Sequence, residues 1–138
     1  KSGNVFLSIR NEDKTKEMGA ACKILKKIGF KIIATKGTKS FLDKEGVDSQ
    51  LVKKVFEGRP NIADLLKDKK INIVMNTTQG KQSIEDSKDI RSLALNNKIP
   101  YYTTARGIIA IINSLKENMG GKISVKAIQE YHAQLITD

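Results

Sequence analysis

The chain has 138 residues, 39% of them hydrophobic and 29% charged, and 25 Lys and Arg against 15 Asp and Glu give a formal net charge of +10. That length and composition suit one globular domain with a single buried core, so residues 1–138 are read as one domain. Two prolines and no Gly/Ser tract exclude a long disordered linker, no apolar run reaches the length of a membrane span, and no signal peptide opens the chain. One cysteine, Cys22, precludes an internal disulfide and a cysteine-based zinc site and fits a cytoplasmic protein. The opening Lys1-Ser2-Gly3, without an initiator Met and with a strand close behind, is expected to be a cut end of a longer chain.

The predicted elements run as follows. Val5–Ile9 is a short apolar strand, and Asn11, Glu12 and Asp13 supply helix-start chemistry. Met18, Ala21, Cys22, Leu25 and Ile28 recur at helical spacing, with Gly29 as the stop. Phe30–Ala34 is strand two. Thr35-Lys36-Gly37-Thr38 is read as a turn, and Ser40-Phe41-Leu42 begins a short helix ending near Gly46. Leu51–Phe56 is an extended segment broken by Gly58-Arg59-Pro60, and Asn61 caps a helix through Asp64-Leu65-Leu66. Ile71–Met75 is another strand, followed by Asn76-Thr77-Thr78-Gln79-Gly80. Ser83–Asn97 is a helix with Ile84, Ile90, Leu93 and Leu95 as core residues. Ile99–Tyr102 is a last strand, Thr104 caps a helix Ile108–Leu115, and a further helix holds Val125, Ile128 and Tyr131.

Strands alternating with helices imply right-handed crossovers and an all-parallel sheet covered on both faces. In such sheets ligands sit beyond the carboxyl ends of the strands. Three segments fall on that rim: Lys14 after strand one, Thr35–Ser40 after strand two, and Asn76–Lys81 after the Ile71–Met75 strand. They offer hydroxyls, backbone N–H groups and lysines. A helix N-terminus favours a phosphate, Gly37 permits close backbone approach, Thr35 and Thr38 add hydroxyls, and Lys14 and Lys54 add point charges. Each piece alone is an ordinary cap or strand-end turn; three on one rim point to an anion site. The net positive charge then reflects a phosphorylated ligand and a solvated lysine surface. Nucleic acid is disfavoured, because there are no Trp, 4 Phe and 3 Tyr, and the basic residues are interleaved with acids. His132, the lone histidine, reads as a surface or packing residue, Cys22 as core, and Lys23, Lys26 and Lys27 as a solvated face.

Thr35-Lys36-Gly37-Thr38, Val52–Pro60, Asn76–Lys81, Ile84-Glu85-Asp86-Ser87 and Ile90-Arg91, in that order and spacing, resemble the C-terminal allosteric domain of bacterial carbamoyl phosphate synthetases. The likeness runs from about Gly3 to His132. It implies a three-layer α/β/α fold with a five-stranded parallel sheet, methylglyoxal-synthase-like. It also implies a regulatory domain that binds UMP- or IMP-type nucleotides. By resemblance, Lys14, Thr35 and Thr38 are phosphate ligands, and Lys54, Asn76, Thr77 and Thr78 form the wall that meets phosphate, ribose or base. Lys81 stands where the family often has Arg. The resemblance further implies synthetase domains on the same large subunit, a glutaminase small subunit, and ATP with Mg or Mn in the parent enzyme. It implies no cofactor in this domain, no catalytic residue, no metal, and neither nucleic acid nor membrane as partner.

In ornithine-activated relatives an Asp precedes a Thr-Thr pair at the domain edge. Here Tyr102 precedes Thr103-Thr104, so this possible second-effector edge lacks its carboxylate. The lack of any Trp sets the chain apart from relatives that bind N-acetylglutamate. The alternative is a methylglyoxal synthase-type lyase acting on dihydroxyacetone phosphate. Asp86 resembles one of its acids. However, Glu57-Gly58-Arg59-Pro60 replaces the Gly-Gly-Asp loop, and Asn11 stands in place of a further acid.

Overall fold

The computed structural model describes residues 3–77 and 81–118. Five strands, β1 (Asn4–Ser8), β2 (Lys31–Ala34), β3 (Gln50–Leu51), β4 (Ile73–Asn76) and β5 (Tyr101–Tyr102), alternate with five helices. These are α1 (Lys16–Lys27), α2 (Lys36–Lys44), α3 (Ile62–Lys67), α4 (Lys81–Asn96) and α5 (Ala105–Asn118). The strands form one sheet in the order β3-β2-β1-β4-β5, every pair parallel. The chain leaves β1 towards β2 on one side and returns to it through β4 on the other. The crevice beyond Ser8 and its register partner Asn76 is therefore the topological switch point.

Both faces of the sheet are covered, which explains the unbroken apolar runs in β1, β2 and β4. Val5, Leu7, Ile32, Ala34, Ile73 and Met75 face a core with Met18, Cys22 and Leu25 of α1, Leu42 of α2, and Ile108, Ile111, Ile112 and Leu115 of α5. The alternate residues Phe6, Ile33 and Val74 face Ile62 and Leu66 of α3 and Ile90 and Ala94 of α4. Cys22 is thus a core residue, and burial pushes its thiol up to about 12. Lys23 and Lys27 are exposed, whereas Lys26 is half-buried.

Four helices end in the same way. After α1, α2, α3 and α4 the residue in the left-handed region is Gly29, Gly46, Lys69 or Lys98. In each case the next N–H reaches back five residues: Phe30 to Leu25, Val47 to Leu42, Lys70 to Leu65, and Ile99 to Ala94. This double-bonded reverse turn satisfies the last carbonyls and sends the chain into the next strand.

Several boundaries differ from the sequence reading. Asn11–Asp13 forms a short 3-10 turn, and α1 begins after Thr15, whose hydroxyl accepts the Met18 N–H at 3.1 Å. Lys36–Thr38 is the first turn of α2, not a separate turn, because Thr35 already has the extended backbone of a residue preceding a helix. The Leu51–Phe56 segment pairs only through Leu51 and the Val52 N–H; beyond it Val55–Glu57 closes a 3-10 turn. Leu95 is 67% exposed. The buried face of α4 follows Ile90 and Ala94, and one further residue turns the side chain about 100° away from it. The Ile84 side chain and the expected helix around Val125, Ile128 and Tyr131 lie outside the described residues. Among the described residues, no helix is long and apolar enough to cross a membrane.

Candidate functional site

The carboxyl rim is built from three loops. The first leaves β1 at Ser8 and passes through Ile9 and Arg10 into the 3-10 turn. Arg10 Nε donates to Asp13 Oδ2 at 2.7 Å and braces that turn. Three residues per turn bring side chains i and i+3 onto one side. Lys14 Nζ accordingly donates to Asn11 Oδ1 at 2.8 Å. The same ammonium stands 3.3 Å from where a Cβ on Gly37 would lie, so glycine there leaves room for the lysine over the start of α2.

The start of α2 is the second component. Thr35 occupies the capping position, yet its side chain makes no capping hydrogen bond. Its hydroxyl points down instead, 3.0 Å from Ser8 Oγ, and donates to Thr38 Oγ1 at 3.4 Å. Thr38 Oγ1 also accepts the Ile9 N–H at 2.9 Å. Thr35 and Thr38 are 2% and 1% exposed. The first intrahelical bond runs from the Lys39 N–H to the Thr35 carbonyl at 2.8 Å, so the N–H groups before it have no acceptor within the helix. Helices α1, α3 and α5 do carry side-chain caps, from Thr15, Asn61 and Thr104.

The third loop follows β4. Thr77 N–H donates to the Ser8 carbonyl at 2.9 Å, and Thr77 Oγ1 accepts the Arg10 N–H at 3.1 Å. Asn76, 4% exposed, donates through Nδ2 to Tyr101 Oη at 3.2 Å, and the Arg91 guanidinium lies 5.5 Å from the centre of that tyrosine ring. Buried hydroxyls thus tie the β1, β2 and β4 loops to one another. Sequence reasoning missed Ser8 and the Ile9 and Arg10 N–H groups in this arrangement. A serine ending an otherwise apolar strand was the available signal.

Electrostatics single out Lys14. Burial lowers its ammonium from the ordinary lysine range, and the charge of Lys54 lowers it further. The two lysines are therefore close enough to repel each other. Lys54 sits just before the Val55–Glu57 turn, where its N–H is bound by Glu57 Oε1 at 2.7 Å. The structure therefore gathers Lys14, Thr35, Gly37, Thr38, Asn76 and Thr77 on one rim, with Lys54 at electrostatic range.

A family model for the MGS-like domain matches residues 17–103. The chain belongs to the MGS-like domain family. This MGS-like domain is 47% identical over 135 residues to the carbamoyl phosphate synthase large chain of Buchnera aphidicola, a match covering 98% of the chain and 12% of that relative. It is 42% identical over 133 residues to the corresponding large chain of Mesorhizobium japonicum, covering 96% of the chain and 11% of the relative. A large chain from Methanosarcina barkeri is 38% identical over 135 residues, a match covering 97% of the chain and 34% of that relative. The MGS-like domain spans a minor part of each of these relatives.

Thr78 lies outside the described residues, as does the side chain of Lys81, whose backbone opens α4. Tyr102 is half-buried against the α1–α5 core at the carboxyl end of β5, while Thr103 is exposed beside it.

Proposed function

We propose that this MGS-like domain is the regulatory effector-binding domain of a carbamoyl phosphate synthetase large subunit, taking a UMP- or IMP-type nucleotide by its phosphate. The observation that carries the proposal is Lys14 standing over the side-chain-uncapped start of α2, with Lys54 near enough to lower its pKa. Two ammonium groups and free helix N–H groups attract a phosphate dianion and repel each other without one. The hydroxyl chain contributes as well. Thr38 Oγ1 accepts from Ile9 N–H and from Thr35, so its own proton is left for the anion. Thr35 serves this reading by orienting Thr38, Asn76 and Thr77 line the rim on the side proposed to meet ribose and base, and Thr78 and Lys81 join the effector-binding set by resemblance.

An effector changes an enzyme only through unequal affinity for its conformations. A phosphate that relieves the repulsion between Lys14 and Lys54 draws together the β1–α1 loop and the segment after β3, and supplies such a difference. Carbamoyl phosphate synthesis with ATP, a divalent cation and a glutaminase partner belongs to the rest of the proposed parent. The lyase reading has less support: Asn11 and the Glu57–Pro60 loop bring no carboxylate pair to the rim.

Calorimetric titration of the chain with UMP, IMP and a short RNA tests the proposal. Saturable nucleotide binding is expected, weakened about tenfold or more by Lys54→Ala, since a charge-assisted contact contributes about 1.5–3 kcal/mol. Preferential RNA binding, or methylglyoxal formed from dihydroxyacetone phosphate above background, would overturn it.

A further inference from the structure

We infer that Asn11 is a positioning residue that holds the Lys14 ammonium over the start of α2 through a neutral acceptor, so that the lysine keeps its full charge for the ligand. The inference rests on the proposal that this rim binds phosphate.

Lysine has donors only, so the Asn11 atom 2.8 Å from Lys14 Nζ is the amide oxygen. The Lys14 N–H to Asn11 carbonyl bond, 3.1 Å, keeps the two side chains on one side of the 3-10 turn. The carboxylate nearest in sequence is occupied elsewhere: Asp13 pairs with Arg10 at 2.7 Å. Among the described residues Lys14 enters no ion pair. A carboxylate at position 11 would make the same contact and cancel the charge. An apolar residue there would leave the charge and lose the aim. The amide supplies aim without cancellation.

The isosteric Asn11→Asp and the truncated Asn11→Ala separate these contributions. Asp is favourable at the start of a helical turn, so the fold of Asn11→Asp is expected to persist, checked by its thermal midpoint. The binding probes are UMP and inorganic phosphate by calorimetry. The independent probe is the acylation rate of Lys14, mapped by mass spectrometry. Asn11→Asp should weaken binding of both anions roughly fivefold and slow Lys14 acylation, as expected for a lysine given an ion-pair partner. Asn11→Ala should weaken binding only about twofold and leave acylation at least as fast as in the parent chain. A purely structural role for Asn11 gives the reverse order, with Ala more damaging than Asp. That order, or unchanged affinity in Asn11→Asp, overturns the inference while the anion site stands. If the unsubstituted chain binds neither UMP nor phosphate, the anion site fails and the inference falls with it.

Discussion

The starts of α2 and α3 treat their unpaired backbone donors in opposite ways. At α3, Asn61 Oδ1 accepts the Ala63 and Asp64 N–H groups, Asp64 Oδ2 accepts the Asn61 N–H, and Arg59 clamps Asp64 at 2.6 Å. Every contact is made by the chain itself, and a helix of six residues needs that closure because it is too short to hold on propensity. At α2 the threonine in the capping position turns inward to Ser8 and Thr38. The element is anchored from below, and its donors face outward beneath Lys14. Anchoring by a buried network instead of a cap keeps a helix end both rigid and available, whereas the capped end is closed.

Of the two helix starts, α2 depends most on Thr38. Thr38→Val keeps the volume but leaves the buried Ile9 N–H without its acceptor. Denaturant unfolding should record a loss of about 2 kcal/mol, and UMP affinity should drop with it. A silent Thr38→Val would mean the network does not anchor α2. Asn61→Ala removes the closed cap and should cost about 1 kcal/mol by the same measurement, with UMP affinity unchanged. Were affinity to fall as far as in Lys54→Ala, the two helix ends would not be independent.

The third test is gentler. The hydrogen bond from Arg59, followed by the Asn61 N–H, holds the Asp64 carboxyl below the usual carboxylate range. A depressed folded pKa stabilises the fold above the unfolded value, and the contribution disappears as pH falls through the folded one. Stability measured down the acid limb should therefore fall less steeply in Asp64→Asn than in the parent chain, by a small margin because the pair is solvent-screened. The smallest effect belongs to Lys23→Ala on the exposed face of α1, where UMP affinity should not change measurably.

Much of the frame was legible in the residues. The apolar runs of β1, β2 and β4 are long enough to declare buried strands. Asn61 three residues before Asp64, and Thr104 three before Gly107, announce caps through local geometry alone. The rim was legible, because topology alone brings strand ends together, and Lys14, Thr35, Gly37, Thr38, Asn76 and Thr77 do stand on it. The pairing of Lys14 with Gly37 was not, since it depends on how the 3-10 turn folds back. Nor was the inward rotation of Thr35, which follows from Ser8 standing on the neighbouring strand. Leu51–Phe56 misled because the residue types of an extended segment do not reveal how few of them an edge strand pairs. Leu95 misled because a leucine near the end of a helix reads as core until the phase of Ile90 and Ala94 is known.

The recurring reverse turn at the ends of α1, α2, α3 and α4 has a consequence for how the molecule tolerates change. One joint, used four times, delivers each of the strands β2 to β5 at the amino edge of the sheet with the same hydrogen bonds. Among the described residues the opposite edge has no shared joint: the loops after β1, β2, β3 and β5 differ in length, in capping and in the side chains that brace them. Regularity at one edge fixes the frame, so insertions in the loops of the other reshape that rim without displacing the strands that present it. The division of labour runs along the strand axis, with interchangeable parts at one pole and individual ones at the other.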